Sequence, residues 1–163
     1  MRIVLGLGSN MGDRERHLRG ALVSLHQREI VVRRSASLYL TEPRDYMDQP
    51  WFMNTVVEVE TNLDPSGLLE CCLDVEHEAG RTRDEFRGPR PIDIDILFYG
   101  DQQIQTSNLT VPHPRYALRR FVLVPLAELT PDFQDPASHV TIQELLAQCP
   151  DTGEVRLCGP PLL

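Results

Sequence analysis

The sequence predicts an α+β sandwich built on a mostly antiparallel sheet. Three observations lead there. Strand-like stretches such as RIVLGL and FMNTVVEVET are mixed with stretches of helical spacing such as RERHLRGALVSLHQ and LLECCLDVEHEA. They do not follow the strict strand–helix alternation of a doubly wound parallel sheet. Long irregular loops, among them TEPRDYMDQP and RTRDEFRGPR, separate consecutive strands. The 163 residues suffice for one buried core, and no repeat or linker divides them, so residues 1–163 are expected to form a single domain.

In order, residues 2–7 read as a first strand. A helix over RERHLRGALVSLHQ follows, with Leu18, Leu22 and Leu25 on one face and Asp13 as its cap. EIVVRRSASLYL is one extended stretch, TEPRDYMDQP a surface loop, and FMNTVVEVET an alternating strand. The second helix is the best marked: Asp64 caps it, Pro65 is its first residue, and Gly80 is its left-handed stop. PIDIDILFYG reads as a strand, DQQIQTSN as a turn and short strand, and TIQELLAQ as a last helix opened by a Thr141–Glu144 capping box. The tail after Pro150 carries no readable signal.

The formal net charge of −8 argues against nucleic acid bound through a broad basic face, yet leaves room for a small phosphorylated ligand held by a local basic cluster. No stretch approaches the ~18 apolar residues of a membrane span. The start, MRIVLGLGSN, lacks the apolar core of a signal peptide, so cytoplasmic residence is the expectation. Cys71, Cys72, Cys149 and Cys158 show no zinc spacing and read as reduced thiols. GLGSN resembles a fragment of a dinucleotide fingerprint, but the third glycine and the distal acid do not follow, so a Rossmann site is rejected.

Chemistry concentrates in four places. Residues two apart on a strand share a face, so Asp93 and Asp95 project together while Ile92, Ile94 and Ile96 pack the other side. Their Cα atoms should lie roughly 6.6 Å apart, a spacing that lets two carboxylates hold one or two hard cations such as magnesium. An isolated pair of this kind equally suits the solvated face of an edge strand. Just upstream lie Arg81, Arg83, Arg87 and Arg90, suited to phosphate oxygens or, alternatively, to pairing with Asp84 and Glu85 in a charged loop. PHPRYALRR supplies His113, Arg115, Arg119 and Arg120, whereas His17, His26, His77 and His139 share no spacing and read as surface residues. Phe52 and Asn54 place a ring beside an amide on one strand face, fit for a planar heterocycle or for an ordinary half-buried strand.

Taken together, GLGSNMGD, YLTEP, QPWFMNTVVEVET, VEHEAGRTR, GPRPIDIDILFYG and VPHPRYALRRFVLVPLAEL resemble, in this order, the 6-hydroxymethyl-7,8-dihydropterin pyrophosphokinase family of folate biosynthesis. The resemblance runs from about residue 3 to residue 130. It implies a ferredoxin-like three-layer sandwich with helices on both faces of the sheet. It also implies transfer of pyrophosphate from ATP to 6-hydroxymethyl-7,8-dihydropterin, with AMP released. On that likeness, Asp93 and Asp95 carry two Mg2+ ions and Arg81 and Arg90 steady the transferring group. Arg83, Thr110, His113 and Arg119 meet ATP, while Thr41, Phe52, Asn54 and Phe121 hold the pterin. Arg87, Pro114, Asn108, Leu73, Arg44 and Asp45 depart from residues found in several relatives. Loops 42–50 and 81–89 are expected to close over ATP. No obligate protein partner is implied, and a monomer is expected. The alternative is a ferredoxin-like module that binds nucleotide or pterin without turnover; a metal-dependent nuclease fits the acidic charge poorly.

Overall fold

The structure, a computed structural model, describes residues 1–43, 48–80 and 91–163. The readings made for Arg44, Asp45, Arg81, Arg83, Arg87 and Arg90, and most of the expected loop closure, lie outside these residues. One six-stranded antiparallel sheet organises the rest, in the order β5–β1–β4–β3–β8, with β2 also paired to β4. Here β1 is Ile3–Ser9, β2 Val31–Ser35, β3 Leu38–Thr41, β4 Phe52–Glu60, β5 Asp93–Tyr99 and β8 Val155–Gly159. A small second sheet pairs β6 (Ile104–Gln105) with β7 (Thr110–Val111).

Helices α1 (Arg14–Gln27) and α2 (Pro65–Glu78) cover one face of the large sheet. Leu18, Ala21 and Leu25 of α1 and Leu68, Cys72 and Val75 of α2 pack there against Ile3, Leu5, Leu7, Val57, Val59, Ile94 and Ile96. Burying a side chain of that size contributes about 1.5–3 kcal/mol, so this layer accounts for much of the fold's stability. Helices α3 (Arg120–Leu129) and α4 (Ile142–Gln148) cover part of the opposite face through Val122, Leu123, Leu126 and Ile142 against Val4, Val56, Leu97 and Phe98. The three layers are those expected.

Local signals account for most boundaries. Asp13 accepts from Arg16 N at 3.1 Å and Asp64 from Gly67 N at 2.8 Å, each satisfying a first-turn amide that the helix leaves without a partner. Gly80 takes φ +90°, the left-handed stop. Thr141 Oγ1 accepts from Glu144 N at 3.2 Å, and its hydroxyl meets Glu144 Oε1 at 3.0 Å.

Four expectations are corrected. The first strand runs to Ser9 rather than residue 7. The single stretch EIVVRRSASLYL is two strands, broken at Ala36, both lying along β4. Glu128 of α3 holds that break, accepting from Ser37 N at 3.1 Å and from Tyr39 OH at 2.5 Å. RFVLVPLAEL, where the sequence offers no clear helix signal, is helix α3; Pro125 and two valines disguise it, and burial on the sheet overrides their poor propensity. The tail is not without structure either: residues 155–159 form the edge strand β8 against β3.

Candidate active site

The open part of the α3 face is a pocket, and strand periodicity decides what lines it. In β1 the leucines and Ile3 turn toward α1 and α2, which leaves Gly6 and Gly8 on the pocket side. In β4 Phe52 and Asn54 share that side, and in β5 Asp93 and Asp95 do. Register then sets the rows. Asp93 lies opposite Gly8, and Gly8 opposite Asn54; Asp95 lies opposite Gly6, and Gly6 opposite Val56. A strip of two glycines therefore separates the carboxylates from the amide. A Cβ at Gly8 would sit 2.4 Å from Asn54 Oδ1, so only glycine leaves this floor open.

The cavity encloses about 780 Å³, part of it open to solvent. It brings together seven of the residues singled out in the sequence: Thr41, Phe52, Asn54, Asp93, Asp95, Arg119 and Phe121. Asn54 and Thr41 are buried, and Asn54 Nδ2 donates to Thr41 Oγ1 at 2.6 Å, which fixes the direction of the amide. The Arg119 guanidinium lies 5.6 Å from the centroid of the Phe121 ring, a cation–π contact that adds positive character beside the acids.

His113 is held just outside this lining. Its backbone N–H donates to Leu97 O at 3.1 Å, and its Nδ1 accepts from Arg115 N at 3.2 Å, so the neutral ring carries its proton on Nε2. Burial, then Arg119 and Arg115, push the imidazole down to about 4, against the opposing pull of Asp93. It is a neutral donor at working pH. Thr110 does not join the group: it is exposed on β7, opposite Gln105, and does not line the pocket. Arg81, Arg83 and Arg90 lie outside the described residues.

Sequence reasoning passed over two supports. Glu76, 5% exposed, accepts from Ile94 N at 2.7 Å, the amide between the two aspartates, and so ties the acid-bearing edge strand to α2. The signal was present: Leu68, Cys72, Val75 and Glu76 occur at i, i+4, i+7 and i+8, so an acid sits in an apolar stripe. Asn10 Nδ2 donates to Gln49 Oε1 at 2.7 Å and to Pro50 O at 3.1 Å, tying the end of β1 to the segment that feeds β4. GLGSN thus supplies a flat floor and an anchor, and no dinucleotide site.

Asp93 and Asp95 fit a divalent cation. Both are half-buried on the pocket side, with no side chain on the neighbouring glycines to obstruct them. Among the described residues no group of three or more His, Cys, Asp or Glu could hold a metal. A pair of carboxylates must then be completed by water or by ligand oxygens, the coordination that magnesium favours.

The sequence profile of the 7,8-dihydro-6-hydroxymethylpterin-pyrophosphokinase (HPPK) family matches residues 4–131. The chain belongs to the HPPK family. It is 47% identical over 135 residues to the 2-amino-4-hydroxy-6-hydroxymethyldihydropteridine pyrophosphokinase of Bacillus subtilis, covering 82% of this chain and 81% of that one. The enzyme of the same name from Methylorubrum extorquens is 44% identical over 158 residues, covering 96% and 98%. Among solved structures, an HPPK–DHPS protein in complex with substrates superposes with a TM-score of 0.71 at 15% identity. That likeness covers 90% of this chain and 43% of the longer one, and it shows the fold. The HPPK match spans every pocket residue named above and ends before α4 and β8.

Proposed function

We propose that the chain transfers the β,γ-pyrophosphate of ATP to the hydroxymethyl oxygen of 6-hydroxymethyl-7,8-dihydropterin, a step of folate biosynthesis. One observation carries the reading. A carboxylate pair, an arginine, two phenylalanine rings and a fixed amide line a single pocket in a chain of the HPPK family. The pterin hydroxyl oxygen bonds to the β-phosphorus, the bond from that phosphorus to the oxygen shared with the α-phosphorus breaks, and AMP leaves with that oxygen; the hydroxyl proton is released.

Phe52 and Phe121 offer flat surfaces to the pterin, while Asn54, oriented by Thr41, reads its hydrogen-bonding edge. Asp93 and Asp95 would hold two Mg2+ ions, which neutralise charge on the triphosphate oxygens when bound. Arg119 places a permanent positive charge beside the same oxygens, and His113 Nε2 offers a neutral donor. In this reading Arg81 and Arg90 steady the transferring group and Arg83 contacts ATP, while Thr110, exposed on β7 outside the pocket lining, meets only a part of the nucleotide that extends beyond the pocket. Catalysis is then mainly positioning and charge neutralisation. We further propose that residues 1–163 act as one domain with no obligate protein partner. Among the described residues, no helix is long and apolar enough to cross a membrane.

Incubation with ATP, Mg2+ and the pterin tests the reading. AMP and the pterin pyrophosphate are the expected products. ADP as the only nucleotide product would reject the transfer, and calorimetric binding of both ligands without AMP would leave a binding module.

A further inference from the structure

We propose that the C-terminal segment Asp151–Gly159 is a clamp that positions both walls of the pocket, with Asp151 as its key positioning residue. The proposal rests on the reading of Thr41, Arg119 and Phe121 as ligand contacts. The segment lies beyond the HPPK match, which ends at residue 131.

The first wall is the start of α3. Helix N-termini leave backbone N–H groups without partners, and the side chain of Arg119, at the capping position, makes no capping bond. Asp151 caps the helix instead, from 31 positions away: its Oδ2 accepts from Arg120 N at 2.9 Å. Its other oxygen, Oδ1, accepts from Gly153 N at 2.8 Å, so the carboxylate is oriented by its own turn. Asp151 is buried. The backbone it grips is that of Arg120, between the two pocket residues Arg119 and Phe121. A carboxylate at a helix N-terminus also suits the helix dipole.

The second wall is the end of β3. Three residues further on, Glu154 N donates to Glu42 Oε1 at 2.6 Å, and Glu42 N donates to Glu154 O at 3.3 Å. Val155 then pairs with Thr41, the residue that orients Asn54. Residues 151–155 therefore hold the helix wall with one end and the strand wall with the other. Displacing this segment shifts Arg119 and Phe121 relative to Thr41, changing how both ligands fit while leaving Asp93 and Asp95, on the far edge of the sheet, in place.

The experiment compares D151A, D151N and D64A with the wild type, reading AMP formation and calorimetric Kd for the pterin and a non-hydrolysable ATP analogue. D64A removes a cap of the same kind, the one on α2, away from the pocket. Loss of a cap corresponds to a factor of about 2–30 in an equilibrium. We expect D151A to raise KM and Kd for both ligands by about 5- to 20-fold on that scale, with kcat within about threefold. D151N keeps an acceptor for Arg120 N and should recover most of the loss. D64A should lower thermal stability to a similar degree without moving KM or Kd. Wild-type Kd values in folded D151A, or equal shifts in D151A and D64A, would overturn the clamp. Should D151A not fold, E154P, which removes the N–H given to Glu42, must weaken pterin binding, and wild-type pterin Kd there overturns it equally. Absence of AMP from the wild type would count against the proposed reaction, while the Kd ratios would still decide the clamp.

Discussion

Gly8→Ala is the sharpest probe of the pocket floor. The new methyl carbon would stand 2.4 Å from Asn54 Oδ1 and 3.4 Å from Phe52 Cδ1. Non-bonded heavy atoms settle near ~3.5 Å, so the amide must move away by about an ångström. Asn54 cannot do this and keep its 2.6 Å bond to Thr41 Oγ1, which is buried. A lost buried hydrogen bond costs about 1–3 kcal/mol, which corresponds to about 5- to 150-fold weaker pterin binding if the amide reads the pterin edge. The fold should suffer less, because alanine in a strand interior gains about 0.5–1 kcal/mol over glycine and offsets part of the strain. The expected outcome is a raised pterin KM and Kd, an ATP affinity close to wild type, and little change in melting temperature. Steady-state kinetics with calorimetry checks this. Wild-type pterin affinity in G8A would refute the reasoning, since it would mean that the position of Asn54 is irrelevant to the ligand.

The other predictions concern stability and reactivity. His113 titrates near 4 in the fold against an ordinary 6.5, so the unfolded chain takes up the proton first as pH falls. Its contribution is fully present above about pH 6.5 and is lost toward pH 4; after a discount for partial exposure it amounts to about 1–2 kcal/mol. Urea unfolding across that window should show H113Q losing less stability than the wild type, and parallel acid limbs would contradict this. The buried hydroxyl of Tyr116 donates to Asp135 Oδ2, while Asp135 Oδ1 also accepts from Ala137 N at 2.8 Å and Ser138 N at 2.9 Å. Y116F should therefore cost about 1 kcal/mol, or about 2–4 °C in Tm for a chain of this size, and an unchanged melting curve would count against the bond. Burial pushes the Cys72 thiol up to about 12, whereas Cys158 is exposed. Thiol reagents should label Cys158 well before Cys72 in the native protein, and equal rates would be inconsistent with the packing.

How far the sequence could be read depended on where each element draws its stability. Helix α2 was legible from end to end because Asp64, Pro65 and Gly80 are local signals that act within a few residues. Strand β5 was legible because isoleucines and aspartates alternate, and the structure separates them onto two faces as that alternation requires. Helix α3 was not, since Pro125 and the valines argue against a helix locally and only packing on β4 and α4 reverses the balance. Strand β8 was hidden for a related reason. Its residues are mostly exposed, and its partner β3 lies more than a hundred positions earlier in the chain. Within the site, the side chains that face a ligand stand out by type: paired acids, clustered arginines, a ring beside an amide. The groups that hold them in place do not: Glu76 shows only as an acid set in an apolar helical stripe, and Asp151 looks like an ordinary surface acid until the fold buries it against a backbone N–H group.

The central claim is that Asp93 and Asp95 hold divalent ions against a triphosphate in this pocket. Manganese, a spectroscopically visible substitute for magnesium, allows that to be counted directly by electron paramagnetic resonance, in the ternary complex with a non-hydrolysable ATP analogue and the pterin. Two tightly held ions per wild-type chain, with at least one lost in both D93N and D95N, is the result expected. The same number of ions held at the same affinity in all three proteins would contradict it.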